Sequence, residues 1–149
     1  MNDDVNLNIS KSVSSTAGIE TSFKNHPNIE INYTKDYSNY KASGNTNKFE
    51  NDRFEAILEY DFLKDFIFKA DYTFDKYNNK NQGITNTFDT ANASLFYQKE
   101  DSPWGFEINA TNLFDVEFKQ QNSFNAFIIS DSRTFILPRI VMFKLSYKL

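Results

Sequence analysis

Cysteine is absent from this 149-residue chain, which removes disulfide frameworks, thiol nucleophiles and cysteine-based zinc sites together. The single histidine, His26, stands before Pro27 and reads as a turn residue, because no second histidine is available to build a cluster. Glycine occurs four times, scattered, so no glycine-rich phosphate loop and no Gly-x-Ser-x-Gly elbow can form. No calcium-loop spacing of carboxylates occurs either. No apolar run comes near the length of about 20 residues that a transmembrane helix needs. Basic runs are also missing, and a net charge of −4 argues against an electrostatic nucleic-acid binder. These absences predict a non-enzymatic chain with no cofactor and no bound metal.

Aromatics are abundant. They make up 17% of the residues, with 16 Phe and 8 Tyr, yet the mean hydropathy is −0.60. A sheet with one face in lipid and the other on a polar lumen accommodates both facts. Period-2 alternation carries that reading along the chain. Ile29, Ile31, Tyr33, Lys35 and Tyr37 alternate with Glu30, Asn32, Thr34, Asp36 and Ser38. Phe54, Ala56, Leu58, Tyr60 and Phe62 oppose Glu55, Ile57, Glu59 and Asp61, and Phe66, Phe68, Ala70, Tyr72 and Phe74 oppose Ile67, Lys69, Asp71, Thr73 and Asp75. Ala91, Ala93, Leu95 and Tyr97 follow, then Trp104, Phe106, Ile108 and Ala110 against Gly105, Glu107, Asn109 and Thr111. A closing strand after Ser132 places Leu137, Val141, Phe143, Leu145, Tyr147 and Leu149 on one face, with Pro138 removing one ladder donor. Val13, Ala17, Ile19 and Phe23 make a weaker first strand.

The expected fold is therefore all-β: an antiparallel meander of seven or eight strands forming a partial, open transmembrane β-barrel. Residues 1–12, with Val5, Leu7 and Ile9, read as an N-terminal loop or short strand, and residues 13–149 as the barrel segment. Short connections are expected at 25–28, 63–65 and 101–103, and long Asn- and Ser-rich loops at 42–52, 78–87 and 119–132. This alternation is the end-to-end asymmetry of membrane barrels. Tyr60, Phe62, Phe66, Tyr97, Trp104, Phe106 and Tyr147 gather beside the short turns as interface aromatics, and Tyr37, Tyr40, Phe74 and Tyr77 form a second belt. The charges Glu55, Glu59, Asp61, Lys69, Asp71, Asp75 and Glu107 fall on the lumen face, where pairs such as Glu59 with Lys69 are expected across strands.

Asn112-Leu113-Phe114-Asp115, preceded by a strand opened by Trp104 and followed by a long loop and a closing strand, resembles the TonB-dependent outer-membrane receptors. Tyr97-Gln98-Lys99-Glu100-Asp101-Ser102-Pro103-Trp104 and the ending from Leu137 to Leu149 extend that resemblance over residues 13–149. The resemblance implies the C-terminal part of a receptor's barrel wall, in the bacterial outer membrane. Its partners would be the lipid bilayer, the barrel-assembly machinery, the plug and remaining strands, TonB and a surface lipoprotein. Val141, Phe143, Leu145, Tyr147 and Leu149 resemble the assembly signal of this class, with Leu149 in place of the usual terminal Phe. Ligand contact would fall to loops such as residues 119–132, whose Phe124, Phe127, Ile128 and Ile129 would pack on a plug, a neighbouring loop or a surface lipoprotein. Met1-Asn2-Asp3-Asp4 has neither a basic nor an apolar leader region, so the expectation is a fragment lacking signal peptide and plug. Two alternatives stand beside it: a soluble lipocalin-like barrel for a small apolar ligand, with its aromatic face inward, and a small free-standing outer-membrane barrel.

Overall fold

The computed structural model describes residues 9–24, 26–42, 45–124 and 129–148. Nine strands follow in order: β1 (Ile9–Glu20), β2 (Asn28–Ala42), β3 (Asn45–Phe62), β4 (Phe66–Asn79), β5 (Ile84–Gln98), β6 (Trp104–Thr111), β7 (Phe118–Phe124), β8 (Ile129–Phe135) and β9 (Ile140–Tyr147). Seven form one antiparallel sheet in the order β1-β2-β3-β4-β5-β6-β9, and β7-β8 is a separate hairpin inserted between β6 and β9. The chain is thus an all-β open meander. Among the described residues β1 pairs only with β2, and β9 only with β6.

The expected turn at 63–65 is where the sequence puts it. It is built on Leu63 and Lys64, both at positive φ (51° and 63°). The long loops are a correction. β2, β3, β4 and β5 run for 15, 18, 14 and 15 residues, so most of 42–52 and 78–87 is paired strand, and 119–132 is largely the β7-β8 hairpin. Asn-rich composition signalled turns, whereas the ladder continues through it: Tyr37 pairs with Glu50 and Tyr77 with Asn86. The asymmetry of the sheet lies in how far its strands extend, not in loop length. Leu137 and Pro138 also fall before the closing strand. Of the early positions, Ile9 opens β1, while Val5 and Leu7 lie outside the described residues.

A globular domain buries a core between two layers. Here Phe49 is the one buried hydrophobic side chain among the described residues. A single sheet with no covering layer leaves its apolar face needing an apolar medium.

Candidate functional site

The register sorts that apolar face into rows. Ile29, Leu58, Ala70, Ala93, Ala110 and Val141 are successive cross-strand partners. Two residues toward the 63–65 turn, Tyr60, Phe68, Leu95, Ile108 and Phe143 line up, and two further, Phe62, Phe66, Tyr97, Phe106 and Leu145. In the other direction come Ile31, Ala56, Tyr72 and Ala91, then Tyr33, Phe54 and Phe74, whose partner on β5 is Asp89. The next row is Lys35, Asp52 and Lys76, and there the apolar face ends. On β3 the band covers residues 54–62 and on β4 residues 66–74. Nine residues at roughly 3.3 Å each match the 9–11 of a tilted membrane strand.

Both borders of the band carry the chemistry of an interface. At the turn end the rings of Phe62 and Phe66 are 5.4 Å apart, Phe66 and Tyr97 4.7 Å, Tyr97 and Phe106 6.1 Å, and Trp104 and Tyr147 4.7 Å, while Tyr60 stacks on Phe62 at 5.6 Å. At the other end the Tyr33 hydroxyl donates to Asp52 Oδ1 at 2.5 Å, beside the Lys35–Asp52 ion pair at 2.7 Å. Of the second belt, Tyr37 and Phe74 share the band's face, whereas Tyr40 and Tyr77 fall on the opposite one: an odd-numbered residue faces outward on β2 but inward on β4. Val141, Phe143, Leu145 and Tyr147 project from the same face of β9, each more than half exposed. Leu149 lies outside the described residues.

Asn112-Leu113-Phe114-Asp115 forms a hinge after β6. Asn112 is 4% exposed at φ 51°. Its Nδ2 donates to the carbonyls of Val116 and Leu137, both at 2.9 Å, and its Oδ1 accepts from Val116 N at 2.9 Å. One amide thus gathers the two ends of the β7-β8 insertion. Its own N–H donates to Asn92 Oδ1, whose amide in turn donates to Asp71 on the inner face. Leu113 N extends the ladder to Ala91 O. Phe114 meets Tyr72 edge-on at 6.1 Å. Asp115, at φ 57°, accepts from Arg139 N just before β9.

The polar face carries most of the hollows. It carries Glu59–Lys69 at 2.8 Å, as expected, and Glu107–Lys144 at 3.3 Å. One hollow on it, about 280 Å³, is lined by Asp36, Asn51, Arg53, Asp75, Asn86 and Lys119 among others. Asp75 receives Arg53 at 2.8 Å and, from the hairpin, Lys119 at 2.7 Å, which also lies over the Phe88 ring. Burial raises the Asp75 carboxyl, but the Arg53 and Lys119 hydrogen bonds outweigh it and hold it below its ordinary value. Burial pushes the neighbouring Tyr77 phenol up to about 12, so it stays neutral against Phe49 (rings 5.8 Å apart). Asn51 Oδ1 and Asn86 Nδ2 are buried there without hydrogen-bond partners among the described residues.

Sequence reading found Asp75 as a lumen charge and missed its two cations. Lys119 lay in an expected loop, and only the hairpin's fold brings it back over β4. Phe127 and Ile128, expected to pack on a plug, a neighbouring loop or a lipoprotein, lie outside the described residues, and Phe124 and Ile129 are paired in the β7-β8 register. Comparison with known protein families, with curated proteins and with solved structures found no match to this chain.

Proposed function

We propose that this chain is a non-enzymatic segment of barrel wall from an outer-membrane receptor of the TonB-dependent type. Its outer face meets lipid, its polar face lines the lumen, and the β7-β8 hairpin serves as a surface element for ligand or partner contact. The observation that carries the reading is the nine-residue apolar band, bordered by aromatics at one end and by the Tyr33–Asp52–Lys35 row at the other. Such a band has the depth of a bilayer's hydrocarbon region. The β1 and β9 edges, without a second partner strand among the described residues, support a segment completed by further strands, since lipid does not tolerate open ladders. A lipocalin-like binder needs its aromatic face on the hollowed side, and most of the hollows, including one of about 450 Å³ beside Glu55, Lys69 and Asp71, open on the charged side. In this reading the plug, the remaining strands, TonB, the assembly machinery and a surface lipoprotein are the partners.

The test is an antibody against the β7-β8 hairpin, used on outer-membrane and soluble fractions of the native cell. A band in the outer membrane far above 17.4 kDa is the expected result. A band near that mass in the soluble fraction overturns the proposal.

A further inference from the structure

We propose that the outward face of β1–β4, beyond the apolar band, docks the phosphate groups of anionic lipid headgroups, an inference that rests on the membrane reading. The whole chain is acidic, at −4, yet this face is not. By register it carries Lys11, Lys35, Lys41, Lys48, Lys76 and Lys80 against only Glu50 and Asp52. The lysines begin in the row directly past Tyr33, Phe54 and Phe74, two residues or about 7 Å of strand. Lys35 and Lys76 stand at this level, where headgroups meet a barrel, and Lys11 and Lys48 lie four residues, or about 13 Å of strand, farther out. At the level of Lys35 and Lys76 the inner face sets Arg53 and Lys119 against Asp36 and Asp75, and beside the opposite border Lys24, Lys64, Lys99 and Lys148 are matched by Asp61, Asp65, Glu100 and Asp101. The surplus is confined to one face and one end.

Two of the six lysines are already neutralised, Lys35 by Asp52 and Lys80 by Glu50. Lys11, Lys41, Lys48 and Lys76 have no carboxylate at ion-pair distance among the described residues. Between β1 and β3 the face also has a hollow of about 280 Å³, with Val13 and Tyr37 in its lining and Lys11 and Lys48 beside them. Below it comes the row of Ser15, Lys35 and Asp52, and past that row the outward positions continue as Ala17, Ile19, Ile31 and Tyr33. A soluble anion would use only the lysines. A lipid uses both parts, its phosphate on the ammonium groups and its glycerol and upper chain on the apolar surface below.

The test uses the full chain with vesicles of phosphatidylcholine alone, or of phosphatidylcholine containing phosphatidylglycerol, read by co-sedimentation. Wild type should prefer the anionic vesicles, and K11Q/K48Q/K76Q should lose about tenfold or more of that binding, given the pull of each lysine near an anionic surface. K11R/K48R/K76R keeps the charge and should keep the preference, which separates charge loss from misfolding. K69Q/K144Q, on the inner face, should also keep it. An unchanged preference in the triple glutamine variant, or an equal loss in the inner-face variant, overturns the proposal. So does release of wild type by inorganic phosphate when chloride of equal ionic strength has no such effect, because the site would then read the free ion. Binding to neither kind of vesicle overturns the membrane reading itself, whereas binding to both without preference overturns only this inference.

Discussion

β3 and β4 are each two regions in one strand. Over residues 54–62 and 66–74 their outward side chains are aromatic or aliphatic, and over 45–53 and 75–79 they are Lys, Glu, Asp and Asn, while the backbone ladder runs unbroken through both. The ladder satisfies its own hydrogen bonds, so it is indifferent to the medium outside it. Side chains alone mark where one medium ends. Within the band every outward position of β3 and β4 is apolar. Beyond it outward positions pair as ions, Lys35 with Asp52 and Lys80 with Glu50.

The sharpest way to break this comparison is one substitution made in each region. Leu58→Arg or Leu95→Arg, central in the band, should cost on the order of 2–4 kcal/mol of membrane-folded stability and block insertion. Asn39→Arg, outward but beyond the band, and Asp71→Arg, at band level but inward, should be tolerated. Folding into bilayers along a urea series reads all four, and equal losses at Leu58 and Asn39 would erase the boundary.

Next in size is the hinge. Asn112→Ala removes three side-chain hydrogen bonds from a buried site and puts a Cβ-bearing residue without that amide at φ 51°; the loss should be about 2–3 kcal/mol. Asn112→Gly, which accepts that φ, should recover only the conformational part. Hydrogen exchange across the hairpin base, at Val116 and Arg139, should rise in both variants while β3–β4 stays protected.

Phe66→Ala, which loses its stacking on Phe62 and Tyr97, should cost about 1–2 kcal/mol beyond the buried area lost. Phe49→Ala in the extension should leave bilayer insertion unchanged, and equal insertion defects would blur the two regions. The smallest effect concerns pH. Because the Asp75 carboxyl is held below its ordinary value, its ties to Arg53 and Lys119 contribute fully above the ordinary carboxylate range. They are lost only as the pH falls through the lowered value. Proteolysis of the hairpin should therefore rise only in strong acid, and Asp75→Asn should remove that dependence.

The band was legible because its two faces differ. Alternation of Phe54, Ala56, Leu58, Tyr60 and Phe62 with Glu55, Glu59 and Asp61 locates the strand, its faces and the 63–65 turn together. The extension was not legible, because once both faces meet water the period-2 signal disappears while the pairing continues. Asn45, Asn47 and Asn51 then read as loop. Lys35 was seen on the apolar face and left unexplained, and the register accounts for it as the first residue past the band. The grouping of Lys119 with Asp75 was invisible for a different reason: they are 44 residues apart and meet only because a hairpin folds back. Asn112 was recognisable as part of a motif, but its task needed the two carbonyls it joins, one of them 25 residues away.

Gathering Val116 and Leu137 on one side chain has a further consequence. Strands β6 and β9 pair directly with each other, so the hairpin between those two carbonyls is built as a replaceable cassette. A foreign epitope spliced between residues 117 and 136 should leave the β6–β9 register in place.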